Sequence, residues 1–343
     1  MFKNFIGNES AKQTLKRLIA GERVPNSLLF AGDDGVGKRQ FAIELAKSFV
    51  CTDKADGEAC GVCSSCKRAE VFVFPKSEKK DDFKQVFFSE HPDIGTVIPF
   101  NRNVLVDAIR DLEREANFLP YEAKARFFIV DDADKMNDNA ANALLKTLEE
   151  PPATTYIFLI TSRPDSLLPT IRSRCQTIRF APVASDEIEE FLIAKRAFSH
   201  DEARLAARSS RGSVGRAVSI DVAAFRDARE KVLDAVRAAI LSRDRAAMLK
   251  VSEQLNDAKN KENFEENLDI LESLIHDIWS LRTAADATRI INADIADELQ
   301  KLAADAPTNM SEWLAGIETM RSNFIVNINR KIATDALFVT MAG

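Results

Sequence analysis

The chain has 343 residues, 45% hydrophobic and 29% charged, so it has the length for two or three domains and the apolar content to bury their cores. Its formal net charge of -6 argues against a protein that binds DNA or an anionic membrane through its overall charge. Proteins that bind phosphate groups in this way normally have an excess of basic residues. No apolar run approaches the length of a membrane span, and the N-terminus MFKNFIGNES lacks the features of a signal peptide, so we expect a cytoplasmic protein whose cysteines are reduced or bound to metal.

The first half of the chain alternates short apolar runs with amphipathic stretches. Apolar runs predict strands at 27–31, 127–130, 156–160 and 177–180. Helical periodicity predicts helices at 39–50, 104–118 and 137–149. Strands that alternate with helices favour a parallel sheet covered on both faces, which is an α/β fold.

Proline and glycine are distributed unevenly along the chain. Ten of the eleven prolines lie at or before Pro182, and no glycine occurs between Gly215 and Gly316. We therefore predict an α/β domain at 1–182, a small helical domain at 183–220 and a C-terminal helical domain at 221–343. In the last of these, helices are predicted at 223–242, 264–284 and 310–329.

The stretch GDDGVGKR, residues 32–39, nearly matches the phosphate-binding loop G-x-x-x-x-G-K-[ST]. It stands between a predicted strand and a predicted helix, which is the context that this motif requires. Gly32, Gly35 and Gly37 allow backbone N–H groups to close around phosphates, and Lys38 would reach the β- and γ-phosphates. The alternative is a glycine-rich turn with a chance lysine.

Two further positions bear on this site. FFIVDDAD, residues 127–134, delivers Asp131 to the C-terminal end of a strand, where it would hold magnesium. Asp132 stands where ATPases of this class carry a glutamate that orients the attacking water, although the two acids could simply cap the next helix. Arg39 replaces the hydroxyl that should hold the ion, and an arginine cannot ligate magnesium. We therefore expect that nucleotide binding can survive but that efficient hydrolysis does not.

Four cysteines lie close together in residues 51–66, with the spacing C-x8-C-x2-C-x2-C. The set is Cys51, Cys60, Cys63 and Cys66. This pattern is typical of a structural zinc site with four thiolates, and an iron–sulfur cluster is the alternative. Cys175 is interpreted as a buried small residue.

NDNAANALLKTLEEPP (137–152) followed by SRPDSLLPTIRSRC (162–175) closely resembles bacterial DNA polymerase III clamp loaders. These are AAA+ assemblies that open the sliding clamp and place it on primed DNA. Among their subunits, the delta-prime type is the better match, because Arg39, Asp132 and Gly215 all depart from an active ATPase. The resemblance covers residues 1 to about 220 with specific motifs, and beyond that it rests on size, order and helical character.

The resemblance implies several roles. In its Ser-Arg-Cys motif, Arg174 would be an arginine finger that enters the ATP site of a neighbouring subunit; the alternative is a local salt bridge. A sensor residue maps to Ser162, beside Thr161. A second sensor arginine is displaced, because Gly215 stands at its place and Arg216 comes one position late.

The resemblance also implies an AAA+ domain, a helical lid and a helical collar through which a five-subunit ring assembles. The partners would be gamma/tau ATPase subunits and a delta subunit, with the sliding clamp and primer–template DNA held by the complex. Two competing hypotheses are an active ATPase subunit of the gamma/tau type and a stand-alone zinc-containing DNA-binding protein. Residues 71–90 are an insertion rich in aromatic residues that could form a β-hairpin and to which no function is assigned.

Overall fold

The computed structural model describes residues 2, 5–21, 23–54, 57–257, 263–283, 290–324 and 329–342. These residues divide into two compact units. The first comprises Met1–Ile188 and Arg211–Gly215, and the second comprises Glu189–Ser210 and Arg216–Gly343. The three-way division at residues 182 and 220 stays a prediction. No helix in the described ranges has both the length and the apolar character that would carry it across a bilayer.

The first unit is built on a six-stranded sheet. Its strands are β1 (Ser27–Ala31), β2 (Phe87–Phe88), β3 (Ile94–Val97), β4 (Arg126–Val130), β5 (Thr155–Thr161) and β6 (Gln176–Arg179). They are ordered β2-β3-β4-β5-β1-β6, and every neighbouring pair is parallel except β2 with β3. This mostly parallel sheet confirms the predicted α/β fold.

Among the described residues, six α-helices belong wholly to the first unit. They are α1 (Glu9–Ala20), α2 (Lys38–Val50), α3 (Ser64–Glu70), α4 (Val106–Ala116), α5 (Asp138–Glu149) and α6 (Pro169–Arg172). The predicted strands and helices of this half are confirmed, with ends that shift by at most two residues. Neither α1 nor β3 was predicted; β3 is short and interrupts its apolar residues with Gly95 and Thr96.

Side chains alternate between the two faces of the sheet, and each face has its own core. In β4, Phe127 and Ile129 pack with α1 and α2, whereas Phe128 and Val130 pack with α4 and α5. All four side chains are fully buried. A central strand that is apolar at every position is therefore explained by helices on both sides of the sheet.

The insertion at residues 71–90 does not form a regular hairpin. Phe72 forms a single antiparallel bridge with Ser89, and the Glu90 N–H donates to the Val71 carbonyl. Phe87 and Phe88 form the edge strand β2 against β3. The predicted hairpin is thus reduced to one bridge, and the chain between its two ends is largely irregular.

The remaining helices follow in chain order. They are α7 (Ser185–Arg196), α8 (His200–Ser209), α9 (Val214–Ser219), α10 (Val222–Arg237), α11 (Arg245–Leu255), α12 (Phe264–Arg282), α13 (Ala296–Asp305), α14 (Met310–Phe324) and α15 (Arg330–Met341). The unit boundary crosses α7 and α9.

Within the second unit, helices α10 to α15 enclose one apolar core around the buried Trp313. The helix predicted at 223–242 is α10 followed by a π-helical turn at Ala238–Ser242. The other two predicted helices are α12 and α14, and their predicted ends at 284 and 325–328 lie outside the described residues.

Candidate nucleotide and zinc sites

The glycine-rich loop joins β1 to α2, at the C-terminal ends of the central parallel strands. Gly35 and Gly37 have φ of 75° and 98°, in the left-handed region that favours glycine. The ammonium group of Lys38 donates to the carbonyl oxygens of Gly32 and Asp33, each at 2.7 Å. Burial lowers the pKa of Lys38, although four nearby carboxylates oppose this effect. The Lys38 ammonium group therefore already has hydrogen-bond acceptors in the backbone of its own loop.

Arg39 lies in the first turn of α2 and is paired with Asp131, which follows β4. The two side chains are joined from Nη1 to Oδ2 at 3.2 Å, and both are mostly buried. Burial raises the pKa of Asp131, and the positive charge of Arg39 opposes that rise. The carboxylate expected to bind magnesium thus has an arginine as its nearest cationic partner, so these residues do not fit the usual ion of such a site.

The second acid of the motif points elsewhere. Asp132 adopts φ 48° and ψ 51°, and its carboxylate accepts from Lys135 at 2.7 Å. Asp134 accepts from the Thr161 hydroxyl at 2.7 Å, and this bond helps to lower the pKa of Asp134 despite its burial. Ser162, the predicted sensor, is the half-buried next residue along the chain and stays a prediction. Thr161 is the polar residue that the structure places in a network at the end of β5.

Gly215 lies directly against the phosphate loop. Its N–H donates to the Gly35 carbonyl at 2.9 Å, and a Cβ at this position would lie 3.3 Å from the Cα and O atoms of Gly35. A side chain here would therefore press on the loop backbone. The next residue, Arg216, is paired with Asp269 at 3.0 Å inside the second unit.

Arg174 lies just after α6 and is one-third exposed. Its Nη1 donates to the Thr170 carbonyl at 2.9 Å, and its Nη2 lies 2.5 Å from Oε1 of Glu149 at the end of α5. The local salt bridge that competed with the arginine finger is thus present in the isolated chain. An exposed pair of this kind contributes about 0–1 kcal/mol, so it does not prevent the side chain from reaching another partner.

The four clustered cysteines come together as their spacing predicts. The sulfur atoms of Cys51, Cys60, Cys63 and Cys66 all lie within 4.8 Å of one another. Cys51 Sγ is 3.6 Å from Cys60 Sγ and 3.9 Å from Cys63 Sγ. A tetrahedral zinc site with bonds of about 2.3 Å requires sulfur separations of about 3.8 Å, so this arrangement fits zinc.

Backbone N–H groups support these sulfur atoms. The N–H groups of Cys60, Cys63 and Cys66 each donate to the sulfur of a preceding cysteine in the set, at 3.3 to 3.4 Å. Burial raises the pKa of the Cys63 thiol, but hydrogen bonds from Cys66 and Thr52 outweigh that effect and lower the pKa to about 5. Cys175 stands apart in the core, where burial raises its pKa to about 12. It is therefore an inert buried thiol, as the sequence predicts.

Two residues at the nucleotide site were not anticipated in these positions. They are Phe72 and Phe74, whose rings both lie against the Arg39 guanidinium. The aromatic content of the insertion was visible in the sequence, but nothing in the spacing of these residues indicates that they meet Arg39.

Comparison with known proteins agrees with this architecture. A family model described as DNA polymerase III, delta subunit, matches residues 7–184, and one described as DNA polymerase III, delta subunit, C terminal, matches residues 223–334. DNA polymerase III subunit delta' of Bacillus subtilis (strain 168) is 31% identical over 298 residues, which are 86% of this chain and 84% of the relative. The Escherichia coli (strain K12) subunit delta' is 30% identical over 318 residues, 91% and 87% of the two chains.

A gamma/tau subunit of Mycobacterium tuberculosis (strain ATCC 25618 / H37Rv) is 32% identical, but over 173 residues that make up 50% of this chain and 27% of that subunit. The matches to the delta' relatives, in contrast, cover 86% and 91% of this chain. The chain therefore belongs to the delta' family of DNA polymerase III clamp-loader subunits.

Proposed function

We propose that this chain is a clamp-loader subunit that does not hydrolyse ATP itself and that supplies Arg174 to the ATP site of a neighbouring subunit. The observation that carries the proposal is the Arg39–Asp131 pair. A guanidinium stands beside the carboxylate that an ATPase of this fold uses for magnesium. Because in-line phosphoryl transfer depends on that ion, the catalytic step belongs to other subunits.

Family membership supports a proposal about the partners. The ring would contain this chain, gamma/tau ATPase subunits and a delta subunit, five in all, joined through the C-terminal helices of residues 221–343. The assembled complex would hold the sliding clamp and primer–template DNA. We propose that the complex acts in the cytoplasm.

We assign zinc to the four-cysteine site as a structural ion, since four sulfur ligands leave no open coordination position for a substrate. Zinc would fix the loop of residues 51–66, which precedes α3 and the insertion. ATP with magnesium would add nothing to catalysis at the chain's own loop, whose lysine and aspartate are already paired.

Arg174 can reach another subunit at little cost. The Glu149 pair is solvent-exposed and weak, and the side chain follows a helix of only four residues. A guanidinium placed against a γ-phosphate stabilises transition-state charge and contributes roughly 10³–10⁵ to the rate at that one site.

The test is Arg174→Ala in a ring reconstituted with the ATPase and delta subunits. We expect assembly to be unchanged by gel filtration, whereas ATP hydrolysis stimulated by clamp and primed DNA loses the turnover of one site. Arg172→Ala is the matched control, because Arg172 lies two residues away and pairs with Asp165 at 2.7 Å. Equal rates of ATP hydrolysis by the Arg174→Ala ring and the Arg172→Ala ring would rule out Arg174 as an arginine finger.

A second variant tests whether the phosphate loop of this chain takes part in ATP hydrolysis. Lys38→Ala in this subunit should leave ATP hydrolysis by the ring unchanged. A loss of turnover in this variant, or hydrolysis by the isolated wild-type chain, would favour an active ATPase of the gamma/tau type.

A further inference from the structure

Arg39 is held from two sides. Its Nη1 lies 3.2 Å from Asp131, and its Cζ lies 5.4 Å from the ring centroid of Phe72 and 5.2 Å from that of Phe74. The two rings are parallel, with an interplanar angle of 2° and centroids 5.9 Å apart. Both distances from Cζ are within the range of cation–π attraction.

Both rings come from the insertion, residues 71–90, and the fold holds them in place. Phe72 is bridged to Ser89, and the Glu90 N–H donates to the Val71 carbonyl at 2.9 Å. Phe74 meets the ring of Phe87 edge-on, with centroids 5.7 Å apart. The insertion thus leaves the sheet edge, presents two aromatic rings to the nucleotide loop and returns to the same edge.

The Arg39 guanidinium occupies the position beside Asp131 that a bound cation would take. It gives Asp131 a positive partner within the chain itself. Lys38 donates to two carbonyl groups of the loop, and Gly215 donates to a third, that of Gly35. A magnesium nucleotide would have to displace the guanidinium from the carboxylate and from both rings.

We propose that Arg39, positioned by Phe72 and Phe74, is a built-in replacement for the divalent cation, and that the insertion keeps the phosphate loop folded without a magnesium nucleotide. This inference deepens the proposed function, because it gives the physical cause of the missing hydrolysis. Phe72 and Phe74 are positioning residues, since they act through Arg39.

The first test is a double-mutant cycle read by hydrogen exchange of the amides in residues 32–39. Arg39→Thr and the pair Phe72→Leu/Phe74→Leu should each reduce protection by roughly tenfold, because each removes the same cation–π contacts. Their combination should lose little more than Arg39→Thr alone, which removes the Asp131 pair as well as the contacts with the two rings. Leucine retains apolar volume, so the fold survives while the aromatic faces are lost. Additive losses would overturn the role given to the insertion.

Phe83→Leu is the matched control, because Phe83 belongs to the same insertion but contacts the rings of Phe87 and Phe100. We expect it to leave protection of the loop unchanged. A loss of loop protection in the control equal to that of the double-leucine variant would show a general loosening of the insertion and would also overturn the proposal.

The second test uses a fluorescent ATP analogue, titrated with magnesium and with a chelator in its place. The wild type should show the same affinity, or the same lack of binding, in both conditions. Arg39→Thr should bind the analogue at least about tenfold more tightly with magnesium, a preference that Asp131→Asn abolishes. A magnesium preference in the wild type, or none in Arg39→Thr, would contradict the replacement. ATP turnover by the wild type would instead contradict the proposed function.

Discussion

Arg229 and Asp294 show how a single ion pair can stabilise the second unit. The Arg229 guanidinium is almost fully buried and makes two hydrogen bonds to Asp294, of 2.5 and 2.7 Å. Asn292 accepts a further bond from Arg229 at 3.2 Å. Burial alone would raise the pKa of Asp294, but the hydrogen bonds and charge of Arg229 lower it below its usual range. Loss of the carboxylate would leave a buried charge without its main partner, which is costly.

We predict that Asp294→Asn lowers the free energy of unfolding of the second unit at pH 7 by about 2 kcal/mol. Because the pKa of Asp294 is depressed in the folded state, its contribution is present above the unfolded pKa of about 3.9 and is lost as pH falls through the folded value. The difference between variant and wild type should therefore shrink in acid.

Tryptophan fluorescence during urea unfolding measures this effect selectively, because both tryptophans of the chain, Trp279 and Trp313, lie in the second unit. Glu318→Gln is the control, since Glu318 is largely exposed and lies 3.9 Å from Arg321. It should change the free energy by less than about 0.5 kcal/mol. A difference between Asp294→Asn and wild type that stays constant from pH 7 into acid would rule out the ion pair as its source.

At the scale of elements, the cysteine loop has too few apolar residues to fold on its own. Its buried cluster consists of Ala59 and the cysteines themselves, and α3 has only seven residues. A bound metal can supply the missing stability, because ligand binding in such loops is linked to folding.

We predict that Cys63→Ser removes the bound zinc and increases amide exchange in residues 51–70, while the strands of the sheet keep their protection. Metal content measured by atomic emission should fall from one zinc per chain to nearly none. Cys175→Ala should keep the full zinc content, because Cys175 lies in a different core cluster. Iron in the purified wild-type protein, with visible absorbance, would favour a cluster over zinc.

At the level of the whole molecule, the net charge of -6 argues against tight DNA binding by this chain alone. Proteins that bind DNA without sequence preference do so with dissociation constants of about 10⁻⁴–10⁻⁶ M at physiological salt. Such affinity requires several cationic contacts to phosphates.

We predict that the isolated chain binds primer–template DNA more weakly than about 10⁻⁴ M at physiological salt, as measured by fluorescence anisotropy. The reconstituted ring, titrated with the same DNA, is the positive control. Micromolar binding by the isolated chain, with a steep dependence on salt, would favour the stand-alone DNA-binding hypothesis.

Strand and helix positions in the first unit could be predicted because their signals are local. Phe127–Val130 and Tyr156–Ile160 are uninterrupted apolar runs, and a strand buried on both faces needs nothing else to be recognised. In contrast, β3 is stabilised by its neighbours β2 and β4 more than by its own four residues. Its short sequence carries too weak a pattern to predict it.

Groups whose geometry depends on nearby residues could be read from the amino-acid order alone. The phosphate loop and the four cysteines lie within segments of 8 and 16 residues, so their spacing almost fixes how they meet. The identity of Arg39 also needed no structure, since its guanidinium cannot serve as a magnesium ligand in any fold.

The surroundings of Arg39, in contrast, depend on how distant parts of the chain pack together. Asp131 meets it from the end of another strand, Phe72 and Phe74 from an insertion at the sheet edge, and Gly215 approaches the same loop from far along the chain. Contacts across such separations depend on strand order and on packing of the sheet with its helices. Residue spacing does not encode them, because many arrangements of the intervening chain have the same local patterns.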